Sequence, residues 1–324
     1  MVRMALPPGR LFCYAHCVDS APLRYQSHDE DSARWLGFCF RPGDIVISTR
    51  RGSGTTWMQM ICALLIFSRP QLPAPLWHLS PWLDHTIAPR EVVYAQLDAQ
   101  PHRRFIKTHT PLDGLPLHPR VSYIVTARHP LDMFVAFRHQ LDNVDPARLR
   151  QLTGQAVPRG PGIPGESLRD SLLRWIEDDG DSGAYPDSLP GVMRHLSDAW
   201  ARRGEPNVLL VHYDDLSADL HGQMRGIAWR LGITIRDEAW PALTHAATFE
   251  GMRGRADRLV PSATGGPGNH GIFRDAASFF RRGTSGAGRE MLSDDEMARY
   301  YARAARLAPP DMLDWLHSPP SLTG

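Results

Sequence analysis

The sequence has no apolar run long enough to cross a bilayer. Its longest strongly hydrophobic stretch, residues 61–67, falls far short of the roughly 20 residues a spanning helix needs. It also lacks net charge: 36 basic against 35 acidic side chains leave +1. No global field therefore draws the protein to nucleic acid or to an anionic membrane, and neither partner is expected. Any anion site has to be local. Cysteine is scarce, and Cys13, Cys17, Cys39 and Cys62 are too few to form a disulfide framework in 324 residues, so they read as reduced thiols. His16 lies between Cys13 and Cys17, but no second ligand pair completes a set, and no metal is expected. The first ten residues carry two prolines and no apolar core, so no secretory leader and a cytoplasmic location are expected. One further absence is local: the glycine-rich loop at 52–54 never closes with the Gly-Lys-Ser/Thr of nucleotide triphosphatases.

What is present begins with an apolar fraction of 42%, ample for a large core. Residues 44–48 read as a short strand that runs through Arg50-Arg51-Gly52 and Ser53-Gly54-Thr55-Thr56-Trp57 into a helix over 55–67. Strand, small-residue loop and helix in that order aim backbone N–H groups and the positive end of a helix dipole at an anion. A plain tight turn with a hydroxyl cap has the same pattern. Trp57, just inside the helix, adds a face on which a purine can stack. The combination suggests an adenine nucleotide.

Three more runs read as strands, 104–107, 121–126 and 207–212. Helical patterns separate most of them, as in parallel strands joined by crossovers, and Pro130 is placed to open a helix over 131–140. The expected fold is α/β, a P-loop-like three-layer arrangement with a central parallel sheet of four or five strands flanked by helices. In such sheets ligands lie beyond the carboxyl ends of the strands. Residues 52–56, His109, Arg128 and Tyr213 fall just there.

Four segments, in chain order, carry a resemblance: Ser53-Gly54-Thr55-Thr56-Trp57, Lys107-Thr108-His109, the strand ending in Arg128, and Phe279-Phe280-Arg281-Arg282-Gly283. Together they resemble the cytosolic-type sulfotransferases, which move a sulfuryl group from 3′-phosphoadenosine 5′-phosphosulfate (PAPS). The likeness runs from about residue 40 to about 316. Ser80-Pro81-Trp82-Leu83-Asp84 and residues 107–114 look closest to a mycobacterial branch acting on glycolipids or other hydroxylated acceptors. The resemblance implies that Arg51, Gly52, Ser53, Gly54, Thr55 and Thr56 surround the 5′-phosphosulfate, with Trp57 as the adenine platform. It makes His109 the base for an acceptor hydroxyl of a small molecule or glycolipid. Lys107, two residues away and on the same side of an extended strand, would touch the transferring sulfonate. Arg128, Arg281, Arg282 and the Gly283 backbone would hold the 3′-phosphate, while Thr248 and Phe249 bring a second aromatic and Tyr213 a tyrosine near the base. A single domain over 1–324 is expected. Within it, 1–40 is an arm anchored by Trp35, Phe38 and Phe40. Residues 150–190, turn-rich at 158–165 and 178–183 around a short helix at 168–176, form a flexible acceptor-side insertion. Residues 251–290 are a nucleotide lid and clamp.

The chain also departs from that family's pattern. The family's loop reads Pro-Lys-Ser-Gly-Thr-Thr-Trp, and the lysine that neutralises the leaving oxygen falls at Gly52. Arg50, Arg51 and Lys107 are the candidates to replace it, and returning a lysine to position 52 is expected to raise turnover if its loss merely impairs the enzyme. A serine that helps hold the 3′-phosphate falls at Ala136, Asp-Trp after Gly286 becomes Ala287-Gly288, and a Lys-Thr-Val dimer segment is not recognisable. The oligomeric state stays open. Two rivals remain: a degenerate fold that binds 3′-phosphorylated nucleotide without turnover, and a P-loop kinase, against which the absent Gly-Lys pair argues.

Overall fold

The computed structural model describes residues 21–153, 165–180, 185–263 and 271–319. Cys13, His16 and Cys17, most of the turn-rich stretch 158–165, residues 181–183 and the glycine-rich centre of the lid lie outside them. Four strands, β1 (Ile45–Ser48), β2 (Phe105–Thr108), β3 (Ser122–Ala127) and β4 (Val208–His212), pair in parallel in the order β2-β1-β3-β4. Asp44 and Arg104, expected as first strand residues, instead sit just outside β1 and β2. There they form a buried ion pair, Arg104 Nε donating to Asp44 Oδ1 at 2.9 Å. Beyond β2 there is no fifth strand among the described residues. A single bridge pairs Trp82 with Lys107, and Lys107 N–H donates to Pro81 O at 3.0 Å.

Both faces of the sheet are apolar, as an all-parallel sheet requires. Ile45, Ile47, Phe105 and Ile124 pack on the Thr55–Phe67, Leu220–Arg230 and Trp240–Ala247 helices. Val46, Ile106, Tyr123 and Val125 face the Pro130–Asp142, Leu189–Ala201 and Asp294–Leu307 helices. Each buried aliphatic side chain contributes roughly 1.5–3 kcal/mol. A one-residue slip would send every one of them to the wrong layer, so the register is firmly specified. The arm closes the second layer: Trp35 stacks on Phe40 at 5.8 Å, and Phe38 meets both edge-on.

The cysteine reading needs correction. Cys39 is disulfide-bonded, and sequence spacing does not report which thiols meet. Cys62 is free and buried, and burial pushes its thiol up to about 12. Among the described residues, no helix is long and apolar enough to cross a membrane, and no group of three or more His, Cys, Asp or Glu could hold a metal ion.

Candidate active site

The carboxyl ends of the strands open into one cavity of about 1280 Å³, larger than the roughly 300–1,000 Å³ of a typical small-molecule site. Every residue assigned to the site from the sequence lines it except Ser53, and Arg50, a candidate for the loop lysine's role, does not line it. Ser53 is folded into the loop, with its N–H on Arg50 O at 3.2 Å.

The loop between β1 and the Thr55–Phe67 helix is built by two glycines in the left-handed region, Gly52 at φ 82° and Gly54 at φ 95°. A Cβ on Gly52 would stand 2.3 Å from Met133 O, and one on Gly54 3.0 Å from the Tyr213 ring. The Thr49 and Thr55 hydroxyls brace the turn at 2.5 Å. The N–H groups of Gly54, Thr55 and Thr56 make no hydrogen bond within the described residues. They form a cradle of free donors at the positive end of the helix. Trp57 is fixed beside it by Nε1–H donating to Ala247 O at 2.8 Å and by edge contact with Tyr213 at 5.1 Å.

At the end of β2, His109 is buried and its Nδ1 meets Thr49 O. A carbonyl only accepts, so Nδ1 carries the proton and Nε2 is the basic nitrogen. Burial, then the positive charges of Lys107, Arg51 and Arg50, hold the imidazole well below its ordinary value. Lys107 Nζ lies 4.0 Å above the Trp82 ring, whose edge meets His109 at 4.6 Å. Burial, then Arg51, bring Lys107 down to about 8.

Across the cavity, Arg128 stacks on Tyr213 at 4.0 Å and donates from Nη1 to Gly52 O at 3.2 Å and from Nη2 to Thr284 O at 3.0 Å. Its Nε is buried without a partner. The Asp132 carboxylate accepts from Gly286 N and Gly288 N, both at 2.8 Å, and ties the 284–288 turn to the Pro130–Asp142 helix. That turn presents Arg281, Arg282 and Gly283 to the cavity, and neither arginine has an acidic partner among the described residues. Phe249 packs so close to Gly283 that a Cβ there would lie 2.4 Å from its ring. Thr248 caps the Phe249–Arg253 helix, its Oγ1 accepting from Gly251 N at 3.1 Å.

Residues 42–306 match the sulfotransferase domain family. The chain belongs to that family. It is 41% identical over 316 residues to a glycolipid sulfotransferase of Mycobacterium bovis (strain BCG / Pasteur 1173P2), covering 90% of this chain and 93% of the relative. A human sulfotransferase 2B1 is 27% identical over 219 residues, 66% of this chain and 53% of the relative. In fold it is similar to a retinol dehydratase solved with androsterone and inactive cofactor PAP, at TM-score 0.63 and 22% identity over 86% of each chain. The protein is thus a sulfotransferase-family enzyme on an α/β sulfotransferase fold.

Within this sulfotransferase the loop's missing lysine takes on a physical reason. A Cβ at position 52 would collide with Met133 O at a left-handed φ, which argues against a lysine there as a repair. The two arginines also separate. Arg50 is turned inward, onto His109 O and Asp187, with an Nη2–Oδ1 distance of 2.5 Å. Arg51 lines the cavity and bonds Asp29 at 2.7 Å and Glu30 at 2.6 Å. Sequence reasoning missed Asp84, whose Oδ2 accepts from Trp35 Nε1 at 3.1 Å, from the Thr110 hydroxyl at 2.6 Å and from the Thr108 hydroxyl. It clamps both residues flanking His109. The signal was the Ser80–Asp84 run, but no periodicity places its carboxylate under β2. Composition held a further signal: Lys107 is the only lysine in the sequence, against 35 arginines.

Proposed function

We propose that this sulfotransferase uses PAPS to sulfate a hydroxyl of a small molecule or glycolipid, with His109 as the base. One observation carries the reading: His109 is pinned through Nδ1 to Thr49 O, so its basic Nε2 stands beside Lys107 in the cavity that the phosphate loop also lines. The residues suit the donor. The free N–H groups of Gly54, Thr55 and Thr56 match a phosphosulfate, and unpartnered Arg128 Nε with Arg281 and Arg282 match a 3′-phosphate. Trp57, with Phe249 on the lid, matches adenine. PAPS supplies the sulfuryl group. In the reaction the acceptor oxygen–sulfur bond forms, the sulfur–phosphate oxygen bond breaks, and the electron pair leaves with the phosphate. His109 Nε2 takes the hydroxyl proton. Lys107 and the loop donors face the charge that departs, and Arg51, which also lines the cavity, is the candidate to assist them. A single domain, with residues 150–190 on the acceptor side, 251–290 over the nucleotide and a cytoplasmic location, completes the proposal.

A binding-only reading is favoured by Gly52 alone, since the loop then has one cation fewer. Labelled PAPS and a panel of hydroxyl acceptors separate the two. Wild type transfers label, and His109→Ala lowers the rate by about 10²–10⁴, the usual cost of losing a general base, while 3′,5′-adenosine diphosphate binds both forms alike. Undiminished transfer in His109→Ala would remove the histidine from the chemistry.

A further inference from the structure

An unpartnered imidazole stands on the donor side of the cavity. On the Pro130–Asp142 helix, Asp132, Val135, Ala136, His139 and Gln140 line the cavity, which is the spacing of one helical face. Asp132 already holds the Gly286 and Gly288 N–H groups, so this face runs along the turn that follows Arg281 and Arg282. Ala136 offers that turn no donor. His139, one turn further on, has its Nε2 buried without a hydrogen-bond partner among the described residues. Leaving a buried polar atom unpaired is costly, and one that lies on a cavity wall calls for a ligand. The charges around the ring say which kind. Burial, then Arg281, Arg138 and Arg282, hold the imidazole below its ordinary value, against the pull of Asp142. Asp142 is itself shared with Arg138 at 3.5 Å, and Arg274 donates to the Asp142 carbonyl at 3.0 Å. Asp275 is bonded to the Ala277 and Ser278 N–H groups. Arg128 brings a further cation to the cavity wall, with its Nε unpartnered. A neutral base among arginines that lack acidic partners fits a dianion. A phosphate accepts the ring N–H, and its charge reverses the field that keeps the ring unprotonated.

We propose that His139 holds the 3′-phosphate together with Arg128, Arg281 and Arg282, and that it does so as the imidazolium, so that a nucleotide carrying this phosphate binds together with a proton. The inference rests on the PAPS reading and deepens it, from which groups hold the donor to how pH sets its affinity. The ring is neutral in the empty site at neutral pH, and the phosphate raises its proton affinity in the complex. Affinity for 3′-phosphorylated nucleotides therefore grows as pH falls toward the range of the free ring, until the phosphate itself takes a proton near about 6. The 3′,5′-adenosine diphosphate left after transfer shares this dependence, so its release is favoured as pH rises.

The test is calorimetric binding of 3′,5′-adenosine diphosphate and 5′-adenosine monophosphate at pH 7, in two buffers of different ionisation enthalpy, which counts the protons taken up per nucleotide. Wild type takes up more protons with the diphosphate than His139→Ala does, and the two proteins agree with the monophosphate. His139→Ala lowers diphosphate affinity by roughly tenfold or more, the scale of one hydrogen bond to a charged group, and the monophosphate is much less affected. His139→Lys, charged throughout this range, restores affinity without the extra proton. Monophosphate binding reports that each variant is folded, and His139→Gln replaces His139→Ala should that one fail to fold. Equal proton counts in wild type and the folded variant overturn the proposal, as does a lysine variant no tighter than the alanine one. Equal losses for both nucleotides also overturn it, by making His139 a packing residue. In each of these cases a wild type that still prefers the diphosphate keeps the PAPS reading standing. A wild type that binds both nucleotides alike takes that reading down together with the inference.

Discussion

Lys107 shows how much one residue's surroundings decide. Arginine outnumbers lysine 35 to 1 in this chain, yet the buried cation beside His109 is the lysine, a compact charge whose proton affinity burial can shift. Brought down to about 8, it loses its charge as pH rises through that value, while His109, held well below its ordinary value, stays a neutral base throughout. The kcat/KM profile therefore falls above about pH 8 and has its acid limb well below 6.5. Lys107→Arg moves the alkaline fall upward, because arginine does not titrate in that range; an alkaline limb that stays in place in this variant would assign it to another group. Gly52 makes the opposite point, that space can overrule chemistry. Gly52→Lys combines a left-handed φ with a Cβ 2.3 Å from Met133 O, and overpacking with backbone strain costs about 2–4 kcal/mol. A lower urea midpoint and no gain in turnover are the expected outcome. A variant of unchanged stability and faster turnover would show that the loop opens freely.

At the scale of elements, the site is a set of strand ends locked to one another. Thr49 after β1 orients His109 after β2. Arg128 after β3 reaches back to Gly52 and forward to Thr284. Asp132, in the first turn of the next helix, holds the Gly286 and Gly288 N–H groups. Hydrogen bonds to a charged group are worth about 1.5–3 kcal/mol each, so Asp132→Ala should loosen the turn that carries Arg281 and Arg282. The expected result is a loss of roughly tenfold or more in affinity for 3′,5′-adenosine diphosphate, with 5′-adenosine monophosphate much less affected. Calorimetry measures both. Equal losses for the two nucleotides would mean that Asp132 supports the helix and not the 3′-phosphate clamp.

For the whole molecule, the cavity links donor and acceptor in one space of about 1280 Å³, so donor binding should register in global stability. A ligand at 100 times its dissociation constant stabilises the folded state by about 2.7 kcal/mol. At equal concentration, 3′,5′-adenosine diphosphate should therefore raise the melting temperature by several degrees and 5′-adenosine monophosphate by much less, because only the former engages Arg128, Arg281 and Arg282. Identical shifts would remove the reason for assigning PAPS as donor. At this scale the arm also matters. Its Asp29 and Glu30 neutralise Arg51 at the mouth of the cavity, and its Trp35 reaches Asp84 beneath β2.

By itself the sequence determined the layers and the strand ends. Residues 44–48, 104–107, 121–126 and 207–212 were legible as strands because hydrophobic pattern and flanking turns are local signals. All four observed strands begin one residue later, β1 and β2 just after the Asp44–Arg104 ion pair, and β2 and β3 run one residue further, to Thr108 and Ala127. Residues 52–56, His109, Arg128 and Tyr213 were placed by the rule that ligands gather at the carboxyl ends of parallel strands, and Lys107 by the family resemblance of its triplet. Only the tertiary structure decided which nitrogen of His109 is basic, since that depends on Thr49 O, 60 residues away in sequence. The same holds for the roles of Asp84 and Asp132, for the choice between Arg50 and Arg51, and for the exclusion of a side chain at Gly52. Each of these turns on a contact across elements, and period and spacing carry no information about what lies opposite a residue once the chain has folded.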